Sequence, residues 1–224
     1  MRKVQFKIDL KIFLFFLLFY FTGQLQSYAL ILLFAFIHEI GHLTAGIIVG
    51  MRPNRLKLKP YGVSVSFDIL PQDYNNKINK GNILEVKKIF VALAGPLTNF
   101  IIILIIINLN LNVFTSINII YSNLLLIIFN FIPIYPLDGG RILKGIIYIL
   151  FGKKKAEVYT NNISLVILIV ITFLGSIATF YMENVAIFVI IIFLWIIFIK
   201  EDIIYRKKIK IYNLIEKTIE NERD

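Results

Sequence analysis

The sequence predicts an all-α polytopic membrane protein of about six transmembrane helices, carrying a small membrane-associated β-hairpin on the cytoplasmic side. Three observations predict it. Of 224 residues, 58% are hydrophobic and 14% aromatic, far more apolar matter than a soluble chain of this length needs to bury. Several apolar runs reach the ~20 residues that cross a hydrocarbon core. The 24 Lys and Arg residues gather in alternate connections between those runs.

The spans are read at residues 11–26, 28–49, 89–109, 117–136, 158–181 and 184–199. The first is short, and residues 24–27 link it tightly to the second. It reads as a retained span and not a cleavable leader, because no small-residue cleavage site follows Phe21 and apolar segments continue to Lys200. Basic residues occupy the amino-terminal stretch from Arg2 to Lys11, the connections from Arg52 to Lys88 and from Arg141 to Lys155, and the end of the chain from Lys200 to Arg223. The other three connections hold none, which places the chain multi-pass in the cell membrane with amino and carboxyl termini in the cytoplasm. The net charge of +10 is then matched to anionic lipid of the bilayer, and no direct nucleic acid binding is expected. With no cysteine, disulfides and thiol chemistry are excluded.

On the cytoplasmic side, Leu56-Lys57-Leu58-Lys59 and Val63-Ser64-Val65-Ser66-Phe67 alternate as strands do, with a turn signal at Pro60-Tyr61-Gly62 between them. A β-hairpin over residues 55–68 follows. Residues 71–81 read as a polar loop, and from Glu201 onward the chain reads as a basic amphipathic surface helix. Residues 1–200 form one membrane domain, and 201–224 a short basic cytoplasmic tail.

Ionisable groups inside a span are costly, roughly 2.5–3.5 kcal/mol each at a helix centre on insertion scales. The second span nonetheless holds His38-Glu39-Ile40-Gly41-His42, with the only two histidines of the chain. Positions four apart share one helix face, so both imidazoles can reach one ion, and the glutamate after the first can take a proton from water at the metal. Packing alone gives no reason for three such groups in five residues.

A catalytic zinc site usually has three protein ligands. Without cysteine or a third histidine, the missing ligand is a carboxylate or comes from outside. Asp138 is the carboxylate near a span and in unusual backbone, at the end of Asn130-Phe131-Ile132-Pro133-Ile134-Tyr135-Pro136-Leu137-Asp138-Gly139-Gly140-Arg141. Two prolines remove helical donors there and two glycines free the backbone. The alternative is an N-cap for a helix starting near Arg141. Depth favours the ligand: His38 and His42 lie ~10–17 Å from the cytoplasmic end of their span at 1.5 Å per residue, and Asp138 ends a span that also runs inward. A third signal is Ala94-Gly95-Pro96-Leu97-Thr98-Asn99. It reads equally as a packing motif with a kink or as a direct contributor, with Asn99 bonding a neighbouring helix or a substrate backbone.

His38-Glu39-Ile40-Gly41-His42, Gly95-Pro96-Leu97-Thr98-Asn99 and Asn130 through Asp138-Gly139 resemble, in this order, the three signatures of the site-2 protease family of intramembrane zinc metalloproteases. The matching core runs over about residues 28–141. The six spans and the Pro136-Leu137-Asp138-Gly139-Gly140-Arg141 ending are most similar to the stage IV sporulation protein FB subgroup, which releases a sigma factor from an inactive precursor. The resemblance implies one Zn2+ per chain held by His38, His42 and Asp138, with Glu39 as the catalytic base. It implies site-shaping or substrate-binding roles for Asn130 and Pro136, and a strand at residues 55–68 that accepts substrate by strand addition. A membrane-associated protein substrate, such as a sigma factor precursor, and inhibitory membrane partner proteins are the partners it implies. The chain departs from the family in having no PDZ-like insert, and residues after Lys200 are too few for a nucleotide-sensing CBS domain.

Two other classes compete. A metal-ion transporter would use intramembrane His, Glu and Asp as a transport site, but would add polar residues along one pathway and a His-rich loop, and neither is present. A silent relative acting as a membrane binding module would not need Glu39.

Overall fold

The computed structural model describes residues 5–8, 20, 25–59, 62–68, 78–109, 113–182 and 185–221. Most of the span expected at 11–26, the turn at Pro60-Tyr61 and residues 71–77 of the expected loop lie outside the described residues. The chain divides into two compact units, Met1–Phe131 and Ile132–Asp224.

The first unit contains β1 (Gln5–Ile8), α1 (Leu25–Ile48), β2 (Arg52–Lys59), β3 (Gly62–Asp68), α2 (Ile78–Asn108) and α3 (Val113–Phe131). The hairpin expected at 55–68 is present as β2 and β3, paired antiparallel with Leu56 opposite Val65 and a register shift between Pro53 and Arg55. It is part of a larger sheet. β1 pairs parallel to β2, with Phe6 opposite Leu56, so among the described residues the order is β1-β2-β3. A four-residue strand carries too little alternation to be seen in a sequence.

Helix ends differ from expectation where polar residues hide them. α1 already begins at Leu25, three residues inside the expected link, and α2 begins at Ile78, within the stretch read as a loop. Residues 78–88 are too polar for a span but fully compatible with a helix leaving it. Among the described residues three helices are long and apolar enough to cross a membrane, at Tyr28–Ile48, Asn82–Asn108 and Lys153–Tyr181, and Ile117–Phe131 is a shorter apolar helix. Packing follows membrane logic: Leu93, Leu97, Phe100 and Leu104 are exposed on α2, whereas Gly95 and Asn99 are buried. Gly41 of α1 lies directly against Thr98 of α2, with room there for no β-carbon. Further along, Phe34 and Ala35 of α1 pack on Leu126 of α3, joined by Ile102 and Ile119.

α3 ends at Phe131, five residues short of the expected end at Pro136. Pro133 and Pro136 cannot donate to a helix, and the second unit opens with this non-helical stretch. Three helices follow: α4 (Asp138–Phe151), α5 (Lys153–Met182) and α6 (Val185–Asn221). The helix expected from Glu201 onward is present as the end of a longer one. α6 continues without interruption from the expected sixth span to Asn221, and its later turns pack on α5 and its approach. Glu216 bonds Lys154, Asp202 accepts a hydrogen bond from Asn161 at 3.0 Å, and Lys208 lies 2.9 Å from Glu157. Those partners are the physical reason: polar and charged residues of α5 hold the polar turns of α6 against it.

Candidate metal centre

The site in the first unit is built by α1 and α2. A helix places His38 and His42 one turn apart on one face, and both are buried, at 4% and 2% exposure. Their rings meet edge to face, centroids 4.7 Å apart. His42 Nδ1 lies 2.6 Å from the carbonyl oxygen of Val91 on α2. A carbonyl only accepts, so the ring proton sits on Nδ1 and the lone pair is left at Nε2. That Nε2 is 3.1 Å from His38 Nε2, so the two nitrogens converge on one place. Glu39, between them in sequence, is half-buried.

Gly95 forms the wall facing the nitrogens. A β-carbon there would lie 2.5 Å from His38 Nε2 and press on His42 Nε2 as well. These are the features a zinc site needs from its imidazoles: one ring proton committed to a carbonyl, adjacent Nε2 atoms and a wall without a side chain. The donors in this unit fit zinc.

Asn130, expected to shape the site, ends α3 with its Nδ2 donating to the Leu126 carbonyl at 2.9 Å. Asn99 lies on α2, fully buried, one turn beyond Gly95.

In the second unit, Ile134 N–H donates to the Ile132 carbonyl and Leu137 N–H to the Ile134 carbonyl, and the Tyr135–Pro136 bond is cis. Ile134 is fully buried and Gly140 packs against its backbone, where a β-carbon would overlap the Ile134 carbonyl carbon. Asp138 opens α4 and is 4% exposed, with Arg141 3.5 Å away. The alternative of Asp138 as an N-cap is overturned: the capping residue is Leu137, no side chain caps the helix, and α4 starts at Asp138 itself. An acid in the first helical turn is also favoured by the helix dipole.

Sequence reasoning missed the support behind this segment. Tyr135 N–H donates to Ser164 Oγ of α5 at 3.1 Å, and Lys144 Nζ sits 4.4 Å above the Tyr135 ring. Lys144 pairs with Glu157 at 2.8 Å, and Glu157 also holds Lys208. Burial lowers the Lys144 pKa from the usual lysine value, with Glu157 opposing. Burial also works against charge on Lys208, but there the bond to Glu157 outweighs it and the pKa is raised. Glu157, an acid at the edge of an apolar run, was the available signal; Val91 acts through its backbone and left none.

Residues 108–174 match the sequence profile of peptidase family M50. A zinc metalloprotease of Methanocaldococcus jannaschii is 32% identical over 136 residues, 57% of this chain and 36% of its own length. Stage IV sporulation protein FB of Bacillus subtilis is 28% identical over 142 residues, 59% of this chain and 43% of its own. These comparisons make the chain similar to peptidase family M50 over residues 108–174 and to two longer relatives over more than half of its own length. The solved site-2 protease of Methanocaldococcus jannaschii has the same fold, with a TM-score of 0.62 at 19% identity, covering 90% of this chain and 93% of that one. The chain spans less than half the length of the two curated relatives it matches. The residues matched by the M50 profile include Asn130, Pro136 and Asp138, whereas His38 and His42 lie before them.

Proposed function

We propose that this chain is an intramembrane zinc metalloprotease that cleaves membrane-associated protein substrates near the cytoplasmic face. His38, His42 and Asp138 hold one zinc ion in this reading, and Glu39 is the catalytic base. The observation that carries it is the pair of imidazole Nε2 atoms 3.1 Å apart beside Gly95, with His42 Nδ1–H donating to the Val91 carbonyl. The three proposed ligands are all buried and of metal-binding type. A carboxylate with two imidazoles is a donor set of catalytic zinc sites, leaving one position for water.

Bound zinc supplies Lewis acidity, polarising a carbonyl and lowering the pKa of water toward ~7. Glu39 takes the proton of the attacking water as its oxygen bonds the scissile carbon. It returns that proton to the nitrogen as the C–N bond breaks. Asn130 and Pro136 shape the segment bearing Asp138, and the outer edge of β3 receives the substrate as an added strand. The substrate class is a membrane-tethered transcription-factor precursor, such as a sigma factor precursor. That rests on the similarity to stage IV sporulation protein FB.

The test is full-length protein purified in detergent, assayed for zinc per chain and for cleavage of a membrane-tethered precursor. Glu39→Gln should retain its zinc and lose cleavage by ~10²–10⁴, the usual worth of general acid–base catalysis. Loss of zinc from Glu39→Gln as complete as from His42→Ala contradicts the assignment of roles. Zinc uptake into vesicles without any cleavage would favour a transporter.

A further inference from the structure

We propose that the side-chain amide of Asn99 is a hydrogen-bonding site for the main chain of the substrate beside the bond to be cut; this rests on the protease reading above. Asn99 is fully buried, and among the described residues neither its Nδ2 nor its Oδ1 has a hydrogen-bond partner. In this bundle, polar side chains normally solve that problem locally. Asn108, Asn123 and Asn130 each donate Nδ2 to the carbonyl four residues back, at 2.7–2.9 Å, and Thr98 does the same with its hydroxyl at 2.8 Å. The equivalent acceptor for Asn99 is the Gly95 carbonyl, and no such bond forms.

Its position explains what the amide is for. Val91, Gly95 and Asn99 follow one another at four-residue steps, so they share a face of α2. The Val91 carbonyl accepts a hydrogen bond from His42 Nδ1, and a β-carbon at Gly95 would press on both Nε2 atoms. Asn99 is one turn further, ~6 Å along the axis. Three residues beyond it, Ile102 closes the face by packing on the Phe34, Ala35 and Leu126 cluster. The amide therefore lies between the histidines and a dry apolar seal. It donates and accepts in the pattern of a peptide group, which makes a peptide main chain its natural complement and leaves the choice of side chains open.

A structural role and this role predict opposite signs. An amide that held helices together would weaken the fold when removed. An unsatisfied buried amide replaced by an apolar residue of similar volume should leave the fold equal or stronger. The experiment uses full-length protein in detergent, with Asn99→Leu and the smaller Asn99→Ala made alone and in the Glu39→Gln background, which traps uncut precursor. Expected are an unchanged or raised Tm, unchanged zinc per chain and at least ~10-fold weaker trapping, the worth of about one buried hydrogen bond. Lower Tm with zinc lost in both variants makes Asn99 a packing residue and overturns the proposal. Trapping as tight as in the parent also overturns it, and if kcat alone falls the amide serves a water and not the main chain. Absence of zinc or cleavage in the unmodified chain is a different result, which sinks the protease reading itself.

Discussion

Gly95→Ala tests the centre with the smallest possible perturbation, one methyl group. Mid-helix, that exchange normally stabilises by ~1 kcal/mol. Here the new carbon would lie 2.5 Å from His38 Nε2 and against His42 Nε2, well inside van der Waals contact. His42 cannot swing aside without breaking its 2.6 Å bond to Val91, and His38 is held against His42 at 3.1 Å. The strain must fall on the ring positions or on the approach of α2 to α1. Overpacking of this kind costs ~1–3 kcal/mol, so the propensity gain offsets part of it and Tm should move little. Zinc binding has no such compensation, because the displaced atoms are the proposed donors themselves. At about 1.4 kcal/mol per factor of ten, zinc affinity should fall ~5- to 150-fold. Competition of the purified variant against a fluorescent chelator measures this directly. Affinity equal to that of the unmodified chain refutes the reasoning that Gly95 sets the room at the metal.

Three further outcomes are expected. Phe67 of β3 lies in the notch left by Gly46, one turn after His42, so Phe67→Ala should loosen the sheet and reduce cleavage ~10-fold with zinc retained; unchanged cleavage would detach the sheet from substrate capture. Lys208→Met should lower Tm at neutral pH by about 1–4 °C, as expected for a partly exposed pair worth ~0.2–1 kcal/mol. Because the folded pKa of Lys208 is raised, its contribution is complete at neutral pH and is lost as pH climbs through that folded value, so the variant should show a shallower alkaline fall in Tm; identical alkaline profiles would mean the Glu157 bond does not form in solution. Single cysteines, introduced into a chain that has none, test the proposed orientation: one at Asn112 should react with an impermeant external thiol reagent in intact cells and one at Asn221 should not, and the reverse pattern inverts the topology.

Much of this architecture is legible in the order of the amino acids alone. Hydropathy and the segregation of Lys and Arg mark the membrane class, because crossing a bilayer is a local demand on ~20 consecutive residues. The four-residue step from His38 to His42 puts both on one helix face for the same local reason. Strand alternation marks β2 and β3. Each of these is a property of neighbours along the chain, and each persists in the folded protein.

What only the tertiary structure decided are contacts across long sequence separations, which depend on how helices are rotated and spaced against one another. The tautomer of His42 is set by the carbonyl of Val91, 49 residues away, and a backbone oxygen has no signature in a sequence. Gly95 faces the nitrogens only because Gly41 and Thr98 set the closeness of α1 and α2. Ser164 and Glu157, through Tyr135 and Lys144, hold the segment before Asp138, and although Glu157 stands out as an acid beside an apolar run, the sequence does not say which residues it meets. Asn99 looks like any asparagine in the sequence. Folding buries its amide one turn from Gly95 and leaves it, among the described residues, without a hydrogen-bond partner, and the proposed role rests on that placement.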